Sequence, residues 1–252
     1  MHGAPLGFHG EASLTPWRVL AAAADRCELE VPTRLPLVLT RRMTLARDRP
    51  VLLIEETVRN ESDLEVPFLW GHHPAFPAVS GARIELPPCE LRAEPLLAAG
   101  LGAEPGAWPA LAGAAGAPQR VDVVPEEPIQ RLLYATGLAQ GWAALRQAGG
   151  LPGVALSWDV ATFPVMWLWL QNGTQEFPWF GRARLLTLEP QTAQPFDGLA
   201  AAHGRGEAHV LPPRGTRSSW LTLALLPDDP GPIARVERDG SVYIDTTRET
   251  DA

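Results

Sequence analysis

Two short strings in this chain carry residue types that can move protons: GHHPAF at 71–76 and LEP at 188–190. An imidazole such as that of His73 exchanges a proton near neutral pH, and a carboxylate such as that of Glu189 accepts one. Each string closes an apolar, strand-like run, residues 64–70 before the histidines and 183–188 before the glutamate. An acid and a base delivered by strands to one cleft suit an enzyme that moves protons without a metal or cofactor. Taken singly, each string has a plainer reading. A histidine pair before proline suits a strand-end turn with satisfied imidazoles, and Glu189 before Pro190 an ordinary strand-end carboxylate. A third string, GFHGEA at 7–12, adds His9.

Adjacent side chains in an extended segment point to opposite faces, so only one of His72 and His73 can enter such a cleft, and alternation does not say which. A metal site fits these histidines poorly. They are adjacent rather than spaced His-x-His, and the nearest acid downstream is Glu85. Trp158, Trp167, Trp169 and Trp179 are residues of a type found mostly in cores. Trp167 and Trp169, two positions apart, share a face and would make stacking surfaces for a pyranose if that face is open.

The elements that must position these residues read as strands. Over 35–45 the odd positions are Leu35, Leu37, Leu39, Arg41, Met43 and Leu45, one apolar face interrupted at Arg41. A turn at 47–50 leads to a second run at 51–58, and the turn at 60–63 leads to a third at 64–70, an antiparallel meander. Further strands are expected at 83–86, 121–124, 142–146, 154–160, 165–171, 183–188 and 218–225. With 26 prolines and 23 glycines, no long amphipathic helix stands out. The expected fold is all-β, a large antiparallel β-sandwich, in a single domain over 1–236. Residues 93–118, rich in Ala, Gly and Pro, are expected as a long surface loop with room for a helical turn, and 237–252 as a polar tail with one short strand at 242–244.

Composition narrows the function. The formal charge of −8 argues against nucleic acid and anionic membranes as partners. All 21 basic residues are arginine, which excludes a Schiff-base or P-loop lysine. Cys27 and Cys89 form neither a disulfide framework nor a zinc site, and no signal-peptide pattern or bilayer-length apolar run is present, so a cytoplasmic location is expected.

Several strings then stand in the order found in one family. His9-Gly10 is followed by Trp17; VRNESD at 58–63 is similar to a V-x-N-x-S-D turn; HPAF at 73–76 is similar to an H-P-Y-F motif. LEPQT at 188–192 matches a strand ending in Glu-Pro, and LPPRG at 211–215 leads into a last long strand. Together, spread over nearly the whole chain, they resemble the aldose 1-epimerase (mutarotase) superfamily, in its divergent bacterial branch.

The resemblance implies a galactose mutarotase-like sandwich with a sugar cleft. It assigns Glu189 as the base that takes the anomeric proton, His73 as the acid that protonates the ring oxygen, and His9 as a ligand of the sugar. It also picks His73 over His72. The acid and base are expected about a sugar ring's width apart, with no metal or cofactor, acting on a free or phosphorylated aldose. An aspartate that holds hydroxyls in galactose-specific members is set against Asp159, without a motif to carry it. Ala75 replaces the motif's tyrosine, and the family's strands ahead of the histidine-glycine motif have no counterpart before residue 9, which leaves two readings open, a sandwich naturally short of those strands or a start site that lies further upstream. The alternative is a non-catalytic carbohydrate-binding or regulatory sandwich of the same fold; an acid–base pair favours the enzyme.

Overall fold

The protein is described here from a computed structural model, which covers residues 5–227 and 231–245. Its framework is a pair of antiparallel sheets. One has eight strands, in the order Arg18–Ala22, Arg26–Pro32, Leu37–Leu45, Val51–Asn60, Thr216–Leu225, Val154–Trp158, Trp142–Arg146 and Arg83–Glu85. The other has six: Ala75–Pro77, Arg184–Gln191, Val165–Asn172, Ile129–Thr136, Glu90–Ala93 and Gly106–Ala107. The chain is therefore an all-β antiparallel sandwich. Among the described residues the α-helix Leu199–Gly204 is a short one, and no helix is long and apolar enough to cross a membrane.

Alternation along the strands decides which side chains fill the space between the sheets. Met166, Leu168, Leu170, Leu186 and Leu188 from the six-stranded sheet share the main core with Leu37, Leu39, Ile54, Leu156 and Leu221 from the eight-stranded one. Burying a leucine as fully as Leu186 or Leu188 stabilises the fold by about 1.5–3 kcal/mol. The opposite parity of the same strands, Leu132, Tyr134, Val165, Trp167 and Trp169, forms a separate apolar cluster on the outer face of the six-stranded sheet. On the far side of the sandwich, Trp142, Ala144 and Ala155 are covered by the hairpin of Ile233–Val236 and Val242–Ile244. The strand expected at 242–244 is thus present; the rest of the expected tail, 246–252, lies outside the described residues.

The structure corrects two expectations and adds one central strand. Residues 121–124 form no strand and contribute only an isolated bridge from Val123 to Arg83, although Val121 and Val124 are buried. Residues 93–118 are not a free loop. They hold a 3-10 turn at Pro95–Leu97, the edge strand Gly106–Ala107 and the strand Ala110–Ala112, which pairs with Pro118–Arg120. Leu101 and Leu111, set among small residues, pin this excursion to the main core. The added strand is Ile129–Thr136, central to its sheet, which sequence reading missed because Arg131 breaks the alternation on the core-facing parity of Leu133 and Ala135.

The VRNESD turn proves to be a structural knot. The buried Asn60 amide donates to the carbonyls of Leu64 (2.7 Å), Leu211 (3.3 Å) and Pro212 (2.9 Å). Its oxygen accepts from the Ser62 amide and hydroxyl, at 3.0 and 2.8 Å. Two motifs far apart in the chain are joined by one side chain with every polar atom satisfied.

Candidate active site

Glu189 lies within Arg184–Gln191, directly across from Trp167 on the neighbouring strand. By parity it shares the outer face of the six-stranded sheet with Thr187, Gln191 and the two tryptophans, while Leu186 and Leu188 face the core. Its carboxylate is only 2% exposed and is held at both oxygens. Thr187 Oγ1 donates to Oε1 at 2.6 Å, and Gln191 Nε2 donates to Oε2 at 3.1 Å. His73 Nε2 stands 3.3 Å from Oε1. Burial pushes the carboxyl above the usual carboxylate range, and the nearby His73, then the bonds from Thr187 and Gln191, hold it back.

The two adjacent histidines go opposite ways, as extended backbone requires. His73 turns to Glu189. His72 is buried, with its ring edge-on to Phe163 at 5.2 Å. Its Nε2 is 3.4 Å from Glu56 Oε2 but not aligned as a hydrogen bond, so it has no donor or acceptor partner. Burial lowers the His72 pKa; Glu56 opposes that shift and Arg41 adds to it.

Glu56, 2% exposed, organises what lies behind the site. It accepts from Arg41 Nε at 2.5 Å and from Trp70 Nε1 at 2.8 Å. The Trp70 backbone is in turn clasped by Thr192 Oγ1, which donates to its carbonyl at 2.7 Å and accepts from its amide at 3.0 Å. Gln191 Nε2 also reaches the His72 carbonyl at 3.4 Å, linking the backbone beside His73 to the carboxylate of Glu189. Arg41, the polar interruption in an apolar strand face, thus has its reason: its guanidinium lies 4.8 Å from the centroid of Trp17 on one side and binds Glu56 on the other.

His9 joins from the N-terminal segment. Its ring centroid is 5.1 Å from that of His73 and 4.2 Å from that of Phe8. Partial burial, and the like charge on His73, lower its pKa. His9 has φ 63° and Gly10 φ 68°, a turn for which the glycine is well suited and the histidine is not. Trp17 Nε1, donating to the Ala12 carbonyl at 2.8 Å, ties this turn down beside Arg41.

Trp169 is 6.2 Å, ring to ring, from His73 and 5.5 Å from Trp179. Trp167 is adjacent to Glu189 in register, but its Nε1 donates to the Ala193 carbonyl at 3.0 Å and its ring is flanked by Tyr134 and Phe196, at 5.4 and 6.4 Å. Asp159 stands apart from the others. It follows Val154–Trp158 of the eight-stranded sheet and clamps a turn, accepting from Thr162 Oγ1 at 2.6 Å, the Ala161 amide at 3.2 Å and Ser219 Oγ at 3.3 Å. Its carboxylate is engaged in this local turn, and among the described residues no hydrogen bond or ion pair joins it to His73, Glu189 or Trp169.

The structure therefore brings His9, His73, Glu189 and Trp169 together, with Trp167 alongside. His73 and Glu189 are closer than a sugar ring's width. Thr187 and Gln191 were missed by sequence reading, yet a signal existed: they lie two positions either side of Glu189, hence on its face. Glu56 had no comparable signal. Among the described residues no three His, Cys, Asp or Glu side chains gather as a metal site.

No protein-family model matches the sequence, and no curated protein matches it. Solved structures do. A candidate aldose 1-epimerase from Escherichia coli K12 superposes with a TM-score of 0.63 at 19% identity, over 86% of this chain and 71% of that one. Another from Klebsiella pneumoniae gives 0.62 at 17% identity over 86% of this chain, which spans only 56% of its length. A galactose mutarotase-like protein from Lactobacillus casei gives 0.54 at 18% identity, over 88% and 77% of the two chains. At such identities the likeness establishes the fold alone, an antiparallel β-sandwich of the galactose mutarotase-like type.

Proposed function

We propose that the protein is a cofactor-independent aldose 1-epimerase, interconverting the α and β anomers of a free or phosphorylated aldose. The observation that carries this reading is the contact of His73 Nε2 with a buried Glu189 carboxylate, 3.3 Å apart, on a sheet face bearing Trp169 and approached by His9. Glu189 takes the proton of the anomeric hydroxyl while His73 gives one to the ring oxygen. The bond from the anomeric carbon to the ring oxygen breaks, leaving an open-chain aldehyde. Rotation about the adjacent carbon–carbon bond presents the other carbonyl face, and reclosure returns both protons. The two oxygens share one carbon, so the acid and the base that serve them must lie closer together than the width of a whole ring.

Protein surroundings support each role. A carboxyl raised above its usual range is a stronger base, and positioned proton transfer contributes about 10²–10⁴-fold per group. Thr187 and Gln191 hold the carboxylate in one orientation, and Trp169 offers a flat surface to the apolar face of a pyranose. Exchange NMR on freshly dissolved aldoses and aldose 6-phosphates tests the reading; faster α/β interconversion of at least one, with no metal or nucleotide added, is expected. One observation favours the second reading, a carbohydrate-binding sandwich without turnover: His73 and Glu189 already contact each other, so a sugar must part them. Sugar binding with no acceleration across the panel would select it.

A further inference from the structure

We propose that the loop 173–182, between Val165–Asn172 and Arg184–Gln191, is a second sugar subsite, so that the preferred substrate is a reducing-end oligosaccharide rather than a lone aldose. This rests on the epimerase reading above. The loop reads GTQEFPWFGR and projects two aromatic rings into water, Phe177 at 82% and Phe180 at 56% exposure. Phe180 also has φ 50°, a left-handed backbone that a bulky side chain adopts only under strain. Exposed apolar surface and a strained backbone both work against stability, and such strain concentrates where a surface is used.

The loop is internally braced. The amides of Trp179 and Phe180 donate to the Glu176 carbonyl at 2.8 and 3.2 Å, and Gly181 N donates to Thr174 O at 2.8 Å. Gly173 N donates to Ala183 O at 2.8 Å, closing the base of the loop. The backbone that carries the rings is therefore held in place.

Continuity with the acid–base pair identifies the occupant. Ring contacts run without a break from Phe8 to His9, His73, Trp169 and Trp179, at 4.2, 5.1, 6.2 and 5.5 Å. Phe177 and Phe180 contact each other at 6.0 Å and, among the described residues, make no ring contact with His73 or Trp169. They belong to a position beyond the reacting ring, on the loop whose Trp179 adjoins Trp169. The exposed Gln175 and Glu176 stand beside them in the chain, and the loop carries no aliphatic side chain larger than that of threonine apart from proline and the polar residues. Aromatic faces for the C–H side of a pyranose, with an amide and a carboxylate for its hydroxyls, are what a neighbouring sugar residue requires.

The experiment is anomer-exchange NMR with glucose and galactose against maltose, cellobiose and lactose. It compares the parent with Phe177→Ala/Phe180→Ala and with Phe180→Gly, alongside calorimetric titration of the disaccharides. At least one disaccharide should exceed its reducing-end monosaccharide in kcat/KM by about tenfold, a preference equal to one pocket's worth of discrimination. The double variant should erase that preference and leave monosaccharide turnover unchanged. Phe180→Gly should weaken disaccharide use without lowering the melting temperature, since glycine accepts the left-handed backbone. If monosaccharides turn over and disaccharides do no better, the subsite inference fails while the epimerase reading stands. If nothing turns over but disaccharides bind in a loop-dependent way, the subsite stands and the epimerase reading fails. Disaccharide binding that ignores the loop, or loss of self-association as the double variant's sole effect, overturns the inference.

Discussion

Glu189 combines two demands that oppose each other. A carboxylate buried to 2% exposure loses hydration, which raises its pKa and makes it a better base, but the same burial disfavours the charged form in the folded protein. Because the folded pKa lies above the unfolded one, the carboxyl's contribution to stability is fully present below the ordinary carboxylate value. It is lost as pH rises through the raised one. Glu189→Gln should therefore melt above the parent at neutral pH, with the gap narrowing as pH falls through that window; a gap that widens in acid would contradict the assignment. The same variant should lose about 10²–10⁴-fold in anomerisation rate, since an amide cannot accept the anomeric proton. His73→Asn should lose a comparable factor, measured by exchange NMR, with sugar binding largely kept. His9→Ala should raise KM as well as lower kcat, because His9 reaches the site through His73 rather than Glu189.

The next scale is the strand end and the turn that meets it. Residues 70–73 are held against 190–192 by the Trp70–Thr192 bonds, by His72 N donating to Pro190 O at 3.0 Å, and by the bridge from Gly71 to Gln191. Gly71 is needed for closeness: a Cβ there would lie 1.8 Å from Gln191 Oε1. That atom is the end of a flexible side chain, so Gly71→Ala should cost little in unfolding free energy. It should still displace Gln191 from Glu189 and lower the anomerisation rate about tenfold, the effect of one misplaced support. Glu56→Ala should do the reverse in weight. It leaves Arg41 and Trp70 without their shared acceptor inside the sandwich, costing about 3 kcal/mol in urea denaturation, the lower end for a broken buried pair because Arg41 keeps some solvent.

Across the whole molecule, the two faces of the six-stranded sheet divide the work. One parity of Val165–Asn172 and Arg184–Gln191 builds the core and the other bears the candidate site, so the proposed chemistry would stand on strands whose backs are fully packed. Leu188→Ala, one residue from the base and on the opposite face, should cost about 2–5 kcal/mol by chemical denaturation, as buried leucines do. It should leave the active-site geometry of the folded fraction intact, so kcat per folded molecule is expected to change far less than in Glu189→Gln.

Residue order alone carried the fold class, because alternation and turn residues are local properties that survive without knowing what lies across the sheet. Motif order also singled out His73, Glu189 and His9, which the fold brings near one another. What it could not carry was anything settled by contacts between distant segments. Trp167 and Trp169 share a face by parity, yet only the loop bearing Ala193 and Phe196 sets Trp167 apart from its neighbour. Asp159 has the right chemistry for a sugar ligand, but its strand belongs to the other sheet and its oxygens are taken by Thr162, Ser219 and Ala161. The apparent flaw at Arg41 became intelligible once Glu56 and Trp17 were seen around it. The spacing of acid and base, too, was set by tertiary structure: a turn from 71–74 laid against a strand end near 190 closes that gap to a single contact, and no local pattern records how two remote segments dock.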